Sequence, residues 1–323
     1  MSEIVAVDIG GTHARFALAE VAGGRIVSLG EVCTLTTAGH AGLETAWEEF
    51  RRRTGRPLPP AAAIAIAGPV QGEALKLTNN EWVIRPDLIA AELGATRYRL
   101  VNDFGAVAYA VAQLDARHFR HLCGPDRPLP EEGVVSIVGP GTGLGVAQLL
   151  RRGGHSHIVE TEGGHIDFAS IDDLEDRILG ELRKRLGRVS VERVASGPGL
   201  ANLYEALAAI GGRPARYRDE KALWQAALTG EDSLAAAAFD RFCLSLGSVA
   251  GDIALAQGAQ AVVIGGGLGL RLADRLPASG FRGRFIAKGR FERRMEEMPV
   301  KIITHPQPGL FGAAAAFADK FGE

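Results

Sequence analysis

The chain has 323 residues, a formal net charge of −2 and a pI of about 6.5. With 46% hydrophobic and 23% charged residues it is apolar enough to build a core, which excludes a disordered chain. The near-neutral balance excludes a nucleic-acid binder that relies on bulk charge. Glycine supplies 42 residues, nearly twice the usual ~7% share, with no period of three that would suggest collagen. The length allows one large domain or two ordinary ones.

No basic segment followed by a long apolar run opens the chain, so no secretory signal is expected. No stretch approaches ~18 uninterrupted apolar residues, so no membrane span is expected. Cys33, Cys123 and Cys243 are isolated and odd in number, which fits neither a disulfide framework nor a CxxC metal pair. Thiols in a reducing cytosol, and hence a cytoplasmic protein, are expected.

In chain order, Glu3–Ile9 reads as a buried strand, followed by Gly10-Gly11-Thr12. A dinucleotide or P-loop unit would enter a helix here. Instead His13–Glu20 and Arg25–Val32 read as two more strands, with Gly23-Gly24 as the turn between them. Ala61–Ala67 and Tyr98–Val101 are further strands, and Ala106–Gln113 is helical. About 130 residues after the first unit the same grammar returns. Gly133–Val138 is a strand, Gly139–Gly145 a glycine loop, Val146–Leu150 a strand, Arg151–Gly154 a turn and His155–Glu160 a strand. The repeat suggests an internal duplication and two related lobes. Ile171–Leu186 and Ser233–Leu255 are helices, Ala261–Ile264 and Val300–Ile303 strands, and Leu310–Lys320 a terminal helix. The order is α/β, with a cleft expected between the lobes.

The chemistry-bearing residues cluster where strands end. Asp8 closes an apolar strand, where a carboxylate needs a partner. The backbone N–H groups of Gly10 to Thr12 and the Thr12 hydroxyl could cradle phosphate oxygens, with Asp8 facing a hydrated cation; a plain hairpin turn is the alternative. Gly139-Pro-Gly-Thr-Gly-Leu-Gly145 has too many glycines for a hairpin, lacks the Lys-Ser/Thr of a Walker motif, and reads as a second phosphate clamp. Asn102-Asp103 is either a helix N-cap or a carboxylate that takes a proton from a bound hydroxyl. Glu162-Gly-Gly-His165 suits sugar hydroxyls, and with no second His or Cys at ligand spacing it is a poor metal site. Glu192 beside Arg193 could be a surface ion pair. Gly265-Gly-Gly-Leu-Gly269 is either a helix start or a glycine shelf for a flat base.

Taken together, Asp8-Ile-Gly-Gly-Thr-His-Ala-Arg15, Leu77-Thr-Asn-Asn-Glu-Trp82, Val101-Asn-Asp-Phe104, Gly141-Thr-Gly-Leu-Gly145, Glu162-Gly-Gly-His-Ile-Asp-Phe168, Glu192-Arg-Val-Ala-Ser-Gly-Pro-Gly199 and Gly265-Gly-Gly267 resemble bacterial, proteobacterial-type glucokinase. That family lies within the hexokinase, actin and Hsp70 ATPase superfamily. The resemblance implies a two-lobed, ribonuclease-H-like (actin-like ATPase) fold: a small α/β domain of residues 1–112 plus 306–323 and a large α/β domain of residues 113–305. It implies ATP and Mg²⁺ as cofactors, with Asp8 facing Mg²⁺ through water. Gly10, Gly11, Thr12, Gly141, Thr142 and Gly143 would hold the ATP phosphates, and Gly266 and Gly267 would border adenosine. Asp103 would be the general base, with Asn102, Glu162, His165, Glu192 and Asn79 on glucose. Where the family usually has His after Asn79, this chain has Asn80.

The zinc-cysteine cluster of the kinase-and-repressor branch is missing, since no cysteine lies between Cys123 and Cys243. No zinc is therefore expected; the charge balance and the lack of a long apolar run likewise give no expectation of nucleic acid or membrane, and a homodimer is what the resemblance implies. The implied reaction is transfer of the ATP γ-phosphoryl group to the 6-hydroxyl of D-glucose, the first step of glycolysis. The alternatives are a kinase for mannose, fructose or glucosamine, a non-catalytic sugar sensor, or an actin-like filament protein. Fourteen of the 42 glycines fall in five proposed cleft segments, where backbone would come close to phosphate, sugar and base.

Overall fold

A computed structural model describes residues 1–68, 70–77 and 80–322. The chain divides into two compact units, Met1–Asp115 with His305–Glu323, and Ala116–Thr304.

The first unit is built on a sheet of β1 (Ser2–Ile9), β2 (His13–Ala22), β3 (Arg25–Leu29), β4 (Cys33–Thr36), β5 (Ala61–Ile66) and, after the short pair β6 (Leu75–Lys76) and β7 (Val83–Ile84), β8 (Arg97–Asn102). Its order is β3-β2-β1-β5-β8, with β4 also on β2. β1 to β3 form an antiparallel meander, and β5 and β8 run parallel to β1. The helices are α1 (Leu43–Thr54), α2 (Ile89–Leu93), α3 (Asp103–Gln113) and the C-terminal helix (Pro308–Phe321).

Alternate residues of β1 point to opposite faces, and both faces are covered, which is why the strand is an unbroken apolar run. Val5, Val7 and Ile9 pack with Phe16, Ile64 and, from α1, Trp47 and Phe50. Ile4 and Ala6 face Ala17, Ala63 and Ala65 and the Leu310, Ala314 and Phe317 side of the C-terminal helix. The small alanines let that helix approach the sheet closely.

The third strand, expected to run through Val32, stops at Leu29. The edge of ten-residue β2 is shared by two short partners: β3 pairs with Ala19–Ala22 and β4 with His13–Phe16, and the chain passes between them at Gly30, whose N–H bonds Leu18 O at 2.8 Å. Helix α3, expected from Ala106, starts at Asp103, because the Asn102 side chain accepts from the N–H groups of Phe104 and Gly105 and caps it. Helix α1 was not expected, although Leu43, Ala46, Trp47 and Phe50 are buried at helical spacing and Gly55 ends the helix at φ +68°.

The second unit repeats the plan with β9 (Phe119–Cys123), β10 (Gly133–Pro140), β11 (Leu144–Arg152), β12 (His155–Thr161), β13 (Ala261–Ile264) and β14 (Val300–Ile303). The order is β12-β11-β10-β13-β14-β9. β10 to β12 form the meander, and β13 and β14 run parallel to β10. Burial alternates identically along Gly11–Ala19 and Gly141–Leu149, the structural trace of the duplication read from the sequence. The helices are α4 (Asp173–Leu186), α5 (Gly197–Ile210), α6 (Glu220–Thr229), α7 (Ser233–Ala256), α8 (Gly266–Arg271), α9 (Phe281–Ile286) and α10 (Glu292–Glu296). Helix α7 has the length and composition to cross a membrane, but 67% of its most apolar window is buried, which fits the central helix of a packed unit.

Candidate active site

In each unit the proposed residues collect at the carboxyl ends of the parallel strands, the place where α/β sheets bind ligands. In the first unit Ile9, Ile66 and Asn102 stand in register at the ends of β1, β5 and β8. The segments that follow carry Gly10–Thr12, Gly68 and Asp103. In the second, Val138, Ile264 and Ile302 are in register, and the segments after β10 and β13 carry Gly139–Gly143 and Gly265–Gly267.

The first glycine loop joins β1 to β2, and the protein holds all three of its carbonyls. Gly10 O accepts from Asn80 Nδ2 at 3.2 Å, Gly11 O from Thr37 Oγ1 at 2.9 Å, and Thr12 O from Thr37 N at 3.0 Å. Gly10 N closes the turn onto His13 O at 2.9 Å. Among the described residues no protein acceptor meets the N–H groups of Gly11 and Thr12. A loop that binds anions needs this polarity, with carbonyls held away and N–H groups left to donate.

Asp8 precedes the loop, directly opposite Arg15 in the β1–β2 register, and their side chains approach to 3.4 Å. Burial pushes the Asp8 carboxyl above its ordinary range, and Arg15 opposes the shift. The opening turn of the C-terminal helix lies against it: a Cβ on Gly309 would stand 2.9 Å from Asp8 Oδ2. Among the described residues no group of three or more His, Cys, Asp or Glu could enclose a metal ion. A single carboxylate fits Mg²⁺ that keeps several waters and is held mainly by substrate phosphates.

Of the pair at the end of β8, Asn102 takes the capping part of the alternative. Asn102 is the cap; its Oδ1 accepts from Phe104 N at 2.9 Å and Gly105 N at 3.1 Å, while Nδ2 donates to Gly68 O at 3.1 Å. Asp103 occupies the first helical position, and its Oδ1 accepts from Phe104 N at 2.8 Å. Asn79 lies outside the described residues.

The second loop is built alike. Gly141 N closes onto Gly143 O at 2.8 Å, and Gly141 O accepts from Gly197 N at 2.7 Å. Leu144 N donates to Glu192 Oε2 at 3.0 Å. Gly265 N donates to Val138 O at 2.9 Å, which brings the start of α8 beside this loop. Gly266 has φ +74°, and a side chain there would strike Pro140 O, 2.5 Å from the Cβ position.

Glu162, His165 and Glu192 come together because residues 166–168 run beside 189–191: Phe168 N bonds Val189 O at 3.0 Å and Val191 N bonds Ile166 O at 2.9 Å. Glu162 Oε2 and His165 Nε2 are 3.9 Å apart, with both side chains more than half exposed. Glu192 is no surface partner of Arg193; its carboxylate turns inward to the backbone of β11.

Not every glycine in these segments awaits a ligand. Side chains at Gly163, Gly164 and Gly199 would collide with Val146, Leu144 and Val194, so the protein's own packing requires those glycines. Gly141 and Gly267 face open space. Sequence reasoning missed Arg15, Thr37 and Gly309. Only Arg15 had a signal, its position opposite Asp8 across the hairpin.

The Glucokinase family model matches residues 5–320, and a glucokinase of Zymomonas mobilis is 64% identical over 321 residues, 99% of both chains. The chain belongs to the glucokinase family. A solved glucokinase from an Antarctic psychrotroph superposes with a TM-score of 0.85 at 36% identity, covering 98% of this chain and 99% of that one. A Balamuthia mandrillaris glucokinase, solved in complex with glucose, superposes with a TM-score of 0.79 at 21% identity over 99% of this chain and 94% of that one, a likeness of fold alone. The actin-like α/β fold expected of a glucokinase is therefore the fold of this chain, with the duplicated meander as its repeating part.

Proposed function

We infer that this glucokinase transfers the γ-phosphoryl group of ATP to the 6-hydroxyl of D-glucose, giving glucose 6-phosphate and ADP. The observation that carries the inference is 64% identity to a glucokinase along the whole chain. An ADP-release assay across glucose, mannose, fructose and glucosamine tests it, with glucose expected to give the highest kcat/KM.

In this mechanism Asp103 orients the 6-hydroxyl and takes its proton. A carboxylate is a weak base toward an alcohol, but in a loose transition state the proton leaves late, so positioning counts most. Asn102 fixes Asp103 by capping α3, and Asn102, Glu162, His165, Glu192 and Asn79 hold the sugar hydroxyls. Backbone N–H groups of Gly11 and Thr12 and of Thr142 and Gly143, with the Thr12 and Thr142 hydroxyls, receive phosphate oxygens, while Gly10 N and Gly141 N close the two turns. Neither loop carries a lysine, so these donors supply much of the charge stabilisation. Gly266 and Gly267 border adenosine. Asp8 would hold Mg²⁺ through water, and the ion would neutralise charge on the phosphoryl oxygens.

The thiols of Cys123 and Cys243 are buried, and burial pushes both up to about 12, which leaves them inert at neutral pH. That suits a cytoplasmic enzyme. Assembly as a homodimer is proposed on the family resemblance.

A further inference from the structure

Each glycine loop is fastened to a sugar-side segment of its own unit by one side chain bonded to backbone. In the first unit the side chain is Asn80. Its Nδ2 donates to Gly10 O at 3.2 Å, and its Oδ1 accepts from Trp82 N at 2.9 Å. Trp82 is itself anchored: it is 3% exposed, and its Nε1 donates to His40 O at 3.0 Å. The loop carbonyl is thus tied to a fixed point in the core. In the second unit the side chain is Glu192. Its Oε2 accepts from Leu144 N at 3.0 Å, at the exit of Gly141–Gly143, and a Cβ on Gly143 would collide with the same oxygen. Its backbone is secured in turn, since Ser196 Oγ donates to Glu192 O at 2.7 Å, and Gly197 N reaches the other end of the loop at Gly141 O.

The two fastenings use opposite chemistry. One engages a loop carbonyl with an amide donor, and the other engages the N–H that follows the loop with a carboxylate. Both fix the direction of the neighbouring peptide groups, on which anion binding by N–H donors depends.

We propose that Asn80 and Glu192 are positioning residues for the nucleotide: each holds one glycine loop with its N–H groups turned toward phosphate. Glu192 thereby has a second duty besides the sugar, since a carboxylate can accept several hydrogen bonds at once. Asn80, which stands where the family usually has His, acquires a role that needs an amide, a donor and an acceptor on one short side chain. The proposal rests on the kinase reading above.

The test is binding of the non-hydrolysable analogue AMPPNP, without glucose, by wild type, Asn80→Asp, Glu192→Ala and Glu192→Gln, alongside KM for ATP, kcat and thermal midpoints. Asn80→Asp keeps the acceptor for Trp82 N but exchanges the donor to Gly10 O for a negative charge, so Asn80→Ala is measured beside it as the uncharged control; it is expected to weaken AMPPNP binding likewise, and wild-type affinity in Asn80→Ala overturns the proposal. Glu192→Gln keeps an oxygen for Leu144 N and exchanges the charge and the second acceptor oxygen for an amide donor. Asn80→Asp and Glu192→Ala are expected to weaken AMPPNP binding at least 5-fold and to raise KM for ATP in step. Glu192→Gln is expected to bind the analogue within about twofold of wild type while its KM for glucose rises. The proposal is overturned if Asn80→Asp and Glu192→Ala bind AMPPNP as tightly as wild type, or if Glu192→Gln is as weak as Glu192→Ala. Failure of wild type to bind AMPPNP or to phosphorylate glucose overturns the kinase reading instead, a separate outcome.

Discussion

Asp103 stands one residue inside α3, and Asn102 behind it spends its amide on the first turn of that helix and on Gly68. Replacing Asp103 with Asn keeps the shape and removes the base. Steady-state kinetics on Asp103→Asn should show kcat reduced about 10²- to 10⁴-fold with KM for glucose within several-fold of wild type. Asp8 makes a different prediction. Its pKa is raised by burial, so ionising it costs stability as pH rises from the unfolded value of ~3.9 through the raised folded value. Asp8→Asn removes that charge and leaves Arg15, whose side chain is 36% exposed, to water. The variant should lose glucose-dependent ATP turnover yet melt at the wild-type temperature or above. A lower melting temperature at pH 7 would show that the Asp8–Arg15 pair is structural.

At the scale of elements, the C-terminal helix fixes α3 and therefore Asp103. A Cβ on Gly312 would collide with the Ala106 carbonyl of α3, a backbone atom that cannot swing away. Gly312→Ala should lower both the melting temperature and kcat, although residue 312 touches no substrate. In the second unit α4 is bound to α7 and α9 by charge. Arg241 Nη1 lies 2.6 Å from Asp172 Oδ2, and Arg284 Nη2 lies 3.1 Å from Glu175 Oε1 and also pairs with Asp172. Glu175 is 2% exposed, so removing Arg284 takes the nearer cation from a buried carboxylate and leaves it to Arg241 at 3.8 Å and the Ile171 N–H at 2.8 Å. Denaturant unfolding of Arg284→Ala should show a loss of about 3 kcal/mol. Burial of Asp172 would raise its pKa, but the Glu175 N–H together with Arg241 and Arg284 holds it below the ordinary carboxylate range. Its contribution is therefore present above the unfolded value near ~3.9 and is lost as pH falls through the lower folded value. Wild type should lose more stability than Arg284→Ala on acidification below about pH 4.

For the whole molecule, the strands were legible because buried β1, β5, β10 and β13 are short apolar runs, and the two meanders repeat one pattern. The glycine loops and the motif residues at strand ends were legible for the same reason. Helix α1 had a helical stripe that went unread beside its run of charges, Glu48 to Arg53. The split edge of β2 could not be read, since β3 and β4 are chosen by tertiary pairing and not by local pattern. Within the site, identities were legible and attachments were not: nothing near Thr37 in sequence announces that it holds two loop carbonyls, and nothing in Glu192-Arg193 shows the carboxylate turning to Leu144. Glycine excess proved to mark two things, backbone opened toward ligand at Gly141 and Gly267 and backbone packed on backbone at Gly164, Gly199 and Gly312. The central claim is glucose phosphorylation by ATP with Asp103 as base, and the direct measurement is ADP release by wild type and Asp103→Asn at saturating ATP, with and without glucose. The account predicts glucose-dependent turnover in wild type that falls at least 100-fold in the variant; turnover independent of glucose, or a variant as fast as wild type, would contradict it.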